Sequence, residues 1–342
     1  MSASSARQRV WVSRPLFDDI VDRLRDYFEV EAESADRAWT PAQVAQKLRD
    51  KHGVLLGVSD PVDAAVVAQA PLLRAVANVA VGVDNLDLPA LTRAGIVATN
   101  TPDVLTEAVA DFAWALLLAA ARRVGEGERY LRAGKWDGWS YRRLLGSEVH
   151  GRTLGILGMG RIGQAIARRA AGFAMPVLYH NRSRLDAVVE RECRAAWVAR
   201  DDLLRRADFL VLVLPLTAQN RHAIGAAELA SMKPGAILVN VARGGIVDDG
   251  ALVAALRAGR LAGAGLDVFE NEPRLHGDLA TLDNVVLTPH IASAGLETRR
   301  AMTRVAVDNL IAALGHGPDA GRPPNICNPD VVTRALDADP RG

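Results

Sequence analysis

The sequence predicts an α/β protein with two parallel-sheet domains of the Rossmann-like or flavodoxin-like kind, one inserted into the other. Three observations lead to this prediction. The chain has 342 residues, whereas a single hydrophobic core usually stops growing at about 250–300 residues. Short apolar runs alternate with helical patterns along most of the chain, which is typical of βα units. A glycine-rich turn lies near the middle, between a strand pattern and a helix pattern.

The first part of the chain supplies one α/β series. Short apolar runs predict strands at residues 9–13, 54–58, 76–81 and 96–99. Thr40, Asp60 and Asp87 are predicted to cap helices that end near residues 50, 69 and 94, since a cap residue with an early proline favours a helix start. A long apolar helix is predicted at residues 106–123. Residues 125–151 have weak periodicity and are interpreted as an extended arm.

The second part supplies another series. Strands are predicted at residues 153–157, 177–179, 209–214, 236–240, 264–268 and 285–287, and helices after the glycine turn and at residues 201–206, 249–258 and 295–314. The tail after Gly315 is rich in Pro, Gly and Asp and is predicted to be irregular. Because an α/β series precedes the glycine turn, the dinucleotide-binding domain (residues 102–290) is predicted to interrupt another domain (residues 1–101 and 291–342).

Composition excludes several classes of protein. The net charge is +1, so the sequence predicts no nucleic-acid partner and no membrane surface. The first ten residues lack the apolar core of a signal peptide, and the apolar block at residues 108–121 is too short to span a bilayer. Two cysteines form neither a disulfide framework nor a metal cluster. We therefore expect a cytoplasmic protein without a metal.

The central glycine motif predicts a dinucleotide site. Gly158, Gly160 and Gly163 have the G-x-G-x-x-G spacing between an apolar strand pattern and a helix pattern. In this context the first glycine permits a tight turn, the second lets the backbone approach a pyrophosphate, and the third lets helix and strand pack closely. The N-terminus of the helix offers free N–H groups to the anion.

Three charged residues downstream predict acid–base chemistry on a carboxylic acid. Arg243, Glu272 and His290 each follow a predicted strand, and parallel sheets build their sites at the carboxyl ends of their strands. An arginine binds both oxygens of a carboxylate in one plane. A glutamate beside a histidine orients the ring and favours its protonated form, which makes the pair a general acid/base.

The end of the second strand of the dinucleotide unit predicts the cofactor. An NAD site usually has an acidic residue here that binds the ribose 2′-hydroxyl, but this chain has Asn181, followed by Arg182, Ser183 and Arg184. The arginines and the serine are suited to a 2′-phosphate. The sequence therefore favours NADP (NADPH) over NAD, which stays possible if both arginines are only solvated loop charges.

Several blocks identify a family resemblance. They are LGILGMGRIGQAIA (154–167), VNVARGGIVDD (239–249), LDVFENEP (266–273) and LTPHIASA (287–294). With these blocks the chain resembles the D-isomer-specific 2-hydroxyacid dehydrogenases over roughly residues 9–315. Within that family it is most similar to the glyoxylate/hydroxypyruvate reductase group and the neighbouring 2-ketogluconate reductases.

The resemblance implies a role for each matching residue. Arg243 binds the substrate carboxylate and polarises the keto oxygen, His290 donates the proton, and Glu272 is its partner. The other implied substrate-binding residues are Leu55, the backbone N–H groups of Val81 and Gly82, and Trp139 from a partner subunit. The other implied cofactor-binding residues are Thr106, Met159, Arg161, Ile162, Pro215, Thr217, Val241, Ala242, Asp267 (on the nicotinamide carboxamide) and His290.

The implied protein is a homodimeric NADPH-dependent reductase of a small 2-keto acid. Two enzyme alternatives stay open, a 2-ketogluconate (or other 2-keto acid) reductase and a phosphite dehydrogenase, since the latter shares the Arg, Glu and His. A third alternative belongs to another class, because transcriptional corepressors use this fold as a dinucleotide-sensing binding module. Turnover of small keto acids separates the enzymes from the corepressor.

Overall fold

The computed structural model describes residues 7–331 of the chain, and these form two compact units. The first unit combines residues 7–105 with residues 295–331, and the second unit is the continuous segment Thr106–Ala294. Each unit has its own parallel sheet. The predicted fold class, two parallel-sheet α/β domains with one inserted into the other, is confirmed.

The strands are β1 (Arg9–Val12), β2 (Glu29–Ala32), β3 (Gly53–Leu56), β4 (Ala75–Asn78), β5 (Val97–Thr99), β6 (Leu154–Leu157), β7 (Val177–His180), β8 (Ala195–Trp197), β9 (Phe209–Leu212), β10 (Ala236–Asn240), β11 (Leu261–Leu266) and β12 (Val285–Leu287). The helices are α1 (Asp18–Val21), α2 (Pro41–Leu48), α3 (Ala64–Ala68), α4 (Leu88–Arg93), α5 (Thr106–Ala121), α6 (Val124–Arg132), α7 (Arg161–Ala170), α8 (Ala187–Cys193), α9 (Arg200–Arg206), α10 (Ala226–Ser231), α11 (Asp249–Arg257) and α12 (Leu296–Ala313).

The first unit contains a five-stranded sheet in the order β2-β1-β3-β4-β5. The central strands β3 and β4 are buried along their whole length, as expected for parallel strands covered on both faces. The start of α2 is fixed by a reciprocal pair of hydrogen bonds between Thr40 and Gln43, a capping box that the sequence pattern anticipates in part. The last helix, α12, packs on β3, β4 and β5.

The second unit contains a seven-stranded sheet in the order β12-β11-β10-β9-β6-β7-β8. The chain builds outward from β6 to β8, then returns to the other side of β6 with β9 and continues to β12. The sheet therefore reverses its strand order between β6 and β9. Ligands of open parallel sheets bind in the crevice at the carboxyl ends of the strands, at this reversal.

Several element predictions differ from the structure. Helix α3 is capped by Asp63, whose carboxylate accepts from the N–H of Val66 at 2.8 Å. The predicted cap, Asp60, is instead fully buried and bound by Arg14 and Ser13. Proline after an aspartate signals a helix start only statistically, and here tertiary ion pairing takes the carboxylate.

The arm, two edge strands and the short helices α1, α8 and α10, which the sequence did not predict, are further differences. The first third of the predicted arm forms helix α6, and the remainder up to β6 is irregular. The edge strands β2 and β8 are short and largely exposed, so they lack the apolar run that marks a buried strand. The predicted irregular tail continues beyond residue 331 and lies there outside the described residues.

Residues 7–331 lack two kinds of feature. None of their helices has both the length and the apolar composition needed to cross a membrane. Within the same range, the side chains of His, Cys, Asp and Glu form no group that could hold a metal ion.

Candidate active site and dinucleotide pocket

The glycine motif forms a tight cradle between β6 and α7. Gly158 has a φ of +103°, and a Cβ there would lie 2.7 Å from the carbonyl oxygen of Val213. A Cβ on Gly163 would lie 2.4 Å from the carbonyl oxygen of Gly158. Nothing lies within 4 Å of the Cβ position of Gly160. Two glycines are therefore required by packing, and the third leaves the backbone open to a ligand, as a pyrophosphate requires.

A cavity of about 720 Å³ lies beside this cradle. Its volume falls within the range of about 300–1,000 Å³ that is usual for small-molecule sites. It is lined by eight of the residues predicted to bind the cofactor, namely Gly158, Gly160, Asn181, Arg182, Ser183, Arg184, Pro215 and Thr217. The N-terminus of α7 begins at Arg161, directly after the cradle, and supplies the N–H groups and dipole that favour an anion. These features fit a dinucleotide.

The predicted cofactor residues outside the cavity wall lie near the start of a helix or the end of a strand. Thr106 is the first residue of α5, and Ile162 follows Arg161 in α7, while Met159 is buried within the cradle. Val241 and Ala242 come directly after β10 and are buried.

Three arginines line the cavity, and two of them are neutralised by carboxylates. Arg184 forms a two-pronged ion pair with Glu190 of α8, at 2.9 and 2.7 Å. Arg200 pairs with Glu228 at 3.2 Å and donates to the carbonyl of Ala223. Among residues 7–331, Arg182 has no carboxylate partner.

Arg184 thus has a partner within the protein, and the prediction that both arginines bind a 2′-phosphate stays a prediction. Glu190 also accepts a hydrogen bond from the hydroxyl of Tyr179 at 2.8 Å, and that hydroxyl accepts from the N–H of Leu185. The hydrogen bond from Arg184, followed by that from Tyr179, lowers the pKa of Glu190 to about 2. The Arg184–Glu190 ion pair therefore helps to fix the shape of the loop after β7.

Asn181 has a structural contact as well. Its side-chain oxygen accepts from the backbone N–H of Met159 at 2.6 Å, and its carbonyl accepts from the indole of Trp197. The side chain that stands in place of the expected acid thus ties the loop after β7 to the glycine cradle.

The acid–base pair is formed as predicted from the sequence. Nδ1 of His290 lies 2.8 Å from Oε2 of Glu272, and Oε1 of Glu272 accepts from the N–H of Phe269 at 2.9 Å. Burial raises the pKa of Glu272. The hydrogen bond and charge of His290, the N–H of Phe269 and the charge of Arg243 lower this pKa by a larger amount, so it lies below its ordinary value. The glutamate is thus held as a carboxylate, and Nε2 of His290 is the ring nitrogen left for a substrate.

Arg243 lies in the turn after β10. Its guanidinium donates to the carbonyl of Ala242 at 2.7 Å, and its charge acts on Glu272. All three predicted catalytic residues therefore belong to the carboxyl-end loops of neighbouring strands β10, β11 and β12.

Asp267 has a structural role at the start of the loop after β11. Its carboxylate is fully buried and accepts three hydrogen bonds, from the hydroxyl of Thr288 and the N–H groups of Ile291 and Ala292. Asp267 therefore anchors the segment that carries His290, and its contact with the nicotinamide stays a prediction.

The predicted substrate residues of the first unit lie in β3 and in the turn after β4. Leu55 is only 1% exposed within β3, so its side chain is part of the core, and its contact with a substrate stays a prediction. Val81 and Gly82 lie in the turn after β4, where Asn100 and Asn78 donate to their carbonyl oxygens. That turn is fixed, and a role for its N–H groups stays a prediction.

Trp139 lies in the irregular part of the arm. Its side chain is highly exposed and meets the ring of Tyr141 edge-on, with centroids 4.5 Å apart. Trp136 and Leu145 are also exposed. Exposed apolar groups in one segment mark an interaction surface.

Sequence reasoning missed four contributors to these regions, namely Glu190, Arg200, Asn220 and Glu270. Asn220 binds the N–H of Thr217 and the carbonyl of Pro215 in the cavity wall, and an asparagine three residues after a threonine is a local turn signal that could have revealed it. The other three act through partners that spacing in the sequence does not disclose.

Known proteins are similar to this chain over most of its length. The family model described as "D-isomer specific 2-hydroxyacid dehydrogenase, NAD binding domain" matches residues 114–292. The glyoxylate reductase of Thermococcus onnurineus is 46% identical over 330 residues, which cover 95% of this chain and 97% of that protein. The chain therefore belongs to the D-isomer-specific 2-hydroxyacid dehydrogenase family, and it is an NAD(P)-dependent oxidoreductase.

Two solved structures are similar over almost their whole length. A protein of Thermus thermophilus has 45% identity and a TM-score of 0.86, with 94% of this chain and 100% of that chain covered. An NADPH-dependent glyoxylate/hydroxypyruvate reductase of Sinorhizobium meliloti, solved with NADP and malonate, has 37% identity and a TM-score of 0.82, covering 94% of this chain and 97% of that chain.

Proposed function

We propose that this protein uses NADPH to reduce a small 2-keto acid, glyoxylate or hydroxypyruvate, to the 2-hydroxy acid, with D configuration where the product is chiral. The observation that carries the proposal is the 2.8 Å contact between His290 and Glu272 beside the charge of Arg243. A keto acid needs a carboxylate anchor and a proton donor, and these are the two groups that the loops after β10 and β12 supply.

The steps assigned to the chain's own residues follow from this geometry. The bound nicotinamide supplies hydride chemistry at the carbonyl carbon. Arg243 binds the substrate carboxylate and polarises the keto oxygen, while His290 donates a proton to that oxygen from Nε2. Glu272 contacts the opposite nitrogen, Nδ1, and so orients the ring. In the reverse direction, the same pair accepts the proton.

The choice of NADPH rests on Arg182. It is exposed at the cavity wall, beside Ser183, and lacks a carboxylate partner within residues 7–331. A 2′-phosphate would supply the missing negative charge, whereas a bare ribose would not. The NADP-bound relative from Sinorhizobium meliloti supports this choice.

The substrate choice rests on the relatives. Those of Thermococcus and Aeropyrum are named glyoxylate reductases, at 46% and 47% identity. An NADPH-oxidation panel of glyoxylate, hydroxypyruvate, pyruvate, 2-ketogluconate and phenylpyruvate, with NADP-dependent phosphite oxidation alongside, tests the proposal. We expect the highest kcat/KM with one of the first two acids. A preference for 2-ketogluconate or phosphite would replace the proposed substrate, and no turnover at all would favour a dinucleotide-sensing binding protein.

We further propose a homodimer formed through the arm, in which Trp139 reaches the partner's active site. The exposure of Trp136, Trp139, Tyr141 and Leu145 supports this assembly, because such a patch is costly to leave in water. Light scattering after size-exclusion chromatography should give twice the chain mass. A monomeric wild-type protein with full activity would overturn the assembly and leave the proposed reaction intact.

A further inference from the structure

Glu270 joins two loops that have different tasks. Its carboxylate accepts from the guanidinium of Arg221 and lies 2.8 Å from Nε2 of His222. The glutamate side chain is only 17% exposed. A carboxylate that accepts from two cationic or ionisable groups while mostly shielded from water is a firm anchor, since charge-assisted hydrogen bonds are about twice as strong as neutral ones.

One of the joined loops is a wall of the dinucleotide cavity. Arg221 and His222 lie between Asn220 and Ala223, which both line that cavity together with Pro215 and Thr217. The backbone of this segment is also tied to the turn after β10, because the N–H of His222 donates to the carbonyl of Gly245 at 2.7 Å. Any ligand that positions the cavity wall therefore acts on Arg221 and His222.

The other loop carries the catalytic glutamate. The N–H of Phe269, one residue before Glu270, donates to Oε1 of Glu272, and Oε2 of Glu272 contacts His290. Only Asn271 separates the anchor Glu270 from the catalytic Glu272 along the chain. A shift of the Glu270 carboxylate would thus be passed on to the glutamate that orients His290.

The backbone of Glu270 is fixed at the same point. Its N–H donates to the carboxylate of Asp249 at 3.1 Å, and Asp249 is buried at the start of α11. Gly244, next to the catalytic Arg243, presses against the same peptide: a Cβ on Gly244 would lie 1.6 Å from the carbonyl oxygen of Phe269. The peptide between Phe269 and Glu270 therefore lies where the segments bearing Arg243 and Glu272 meet.

We propose that Glu270 is a positioning residue that couples the wall of the dinucleotide cavity to the His290–Glu272 pair. The inference rests on the proposed function, since it concerns the acid–base step of that reaction. When the cavity wall shifts, Arg221 and His222 shift with it. Because both contact Glu270, the loop that carries Glu272 then shifts as well. Cofactor binding then orders the proton donor before the keto acid is reduced.

Glu270→Ala and Glu270→Gln test this coupling, with Asp278→Asn as the matched control. Asp278 also forms an ion pair with an arginine, Arg257, and lies in the same connection between β11 and β12, but it contacts none of the residues discussed above. We expect kcat to fall about 10- to 100-fold in Glu270→Ala, because a small misplacement of a catalytic group costs up to about 10²-fold. Glu270→Gln keeps the shape and an acceptor and should fall between Glu270→Ala and wild type.

A KM-against-kcat split separates positioning from general destabilisation. The KM for the keto acid and the Kd for NADPH, measured by fluorescence titration, should stay within about threefold of wild type, since no binding contact is removed. Asp278→Asn should match wild type in kcat. Equal kcat in wild type and both Glu270 variants would overturn the proposal, as would losses that follow thermal stability in all three variants.

Hydrogen exchange followed by mass spectrometry provides a readout that does not need turnover. In the wild-type protein, NADPH should slow exchange in peptides that span residues 267–276, and in Glu270→Ala this protection should be lost while that of the glycine cradle persists. Unchanged protection in Glu270→Ala would contradict the coupling. A wild-type protein without keto acid reduction would instead refute the proposed function, so the two failures are distinguishable.

Discussion

The loop after β7 and the loops after β10 to β12 lie on the same sheet edge, but their charged side chains differ in whether they have partners within the described part of the protein. In the catalytic loops the acidic groups have partners within the protein: Glu272 with His290, Glu270 with Arg221, and Asp267 with backbone N–H groups. In the loop after β7, Arg184 is paired with Glu190, whereas its neighbour Arg182 has no carboxylate partner within the described residues.

The difference teaches how to interpret a charge near a ligand cavity. A charge that is paired within the chain helps to fix the shape of a loop, and its internal partner already neutralises it. A charge that lacks an internal partner can be neutralised by a ligand. Two arginines that are separated only by Ser183, and that look equivalent in the sequence, therefore differ in their contacts within the protein.

Loss of the proton donor should have the largest effect. His290→Ala is expected to lower kcat by about 10²–10⁴-fold, the usual contribution of a positioned general acid, while NADPH still binds. Steady-state assays and fluorescence titration measure the two quantities. His276→Ala, a histidine on an exposed turn of the same connection, is the control. Near-wild-type turnover in the His290 variant would refute its assignment.

Arg182, which has no carboxylate partner within the described residues, should have the larger influence on the choice between NADPH and NADH. Arg182→Ala is expected to lower kcat/KM for NADPH by about 10- to 100-fold, because a hydrogen bond to a charged group contributes about 1.5–3 kcal/mol. NADH should be used almost as before, since it has no 2′-phosphate. An equal loss with both cofactors would mean that Arg182 supports the loop and does not bind the phosphate.

The paired arginine should behave differently from its neighbour. Arg184→Ala is expected to change kcat/KM by less than about fivefold, and equally for NADPH and NADH, since partly exposed ion pairs contribute about 0–1 kcal/mol. Both variants belong in one cofactor comparison. A selective loss of NADPH use in Arg184→Ala, larger than that in Arg182→Ala, would reverse the roles assigned to the two residues.

The ion pair between Arg184 and Glu190 should have the smallest effect, which is a change in how steeply the stability of the fold declines at acid pH. The pKa of Glu190 is about 2 in the folded chain, below its ordinary value of 4.5. The carboxylate therefore stabilises the fold fully above about pH 4.5, and this contribution is lost as the pH falls towards 2. Urea midpoints should decline less steeply between pH 5 and pH 3 in Glu190→Gln than in wild type. Asp202→Asn, which removes an exposed pair with Arg205, should follow the wild-type curve, and identical slopes in all three proteins would contradict the prediction.

The sequence predicted those parts of the site that local patterns encode. The strand–glycine–helix spacing defined the cradle, and Arg243, Glu272 and His290 were identifiable because each follows a strand of a parallel sheet. Asp87 was correctly predicted as a helix cap, since its carboxylate accepts from the N–H of Ala90 at 2.9 Å. Capping, turn geometry and strand order depend on neighbours within a few residues or on general rules of chain topology.

The tertiary structure decided which charges have partners. Glu270 and Arg221 are 49 residues apart, and spacing in a sequence gives no measure of such a contact. The burial of Leu55 and Asp267 likewise depends on how whole layers pack, which no local pattern in the sequence gives. The sequence gives the identity of a side chain but not whether it is paired, buried or exposed, because the fold alone brings its partners to it. The sequence alone therefore determined the chemistry available at this sheet edge, and the folded chain determined which groups are committed to shape and which remain for a ligand.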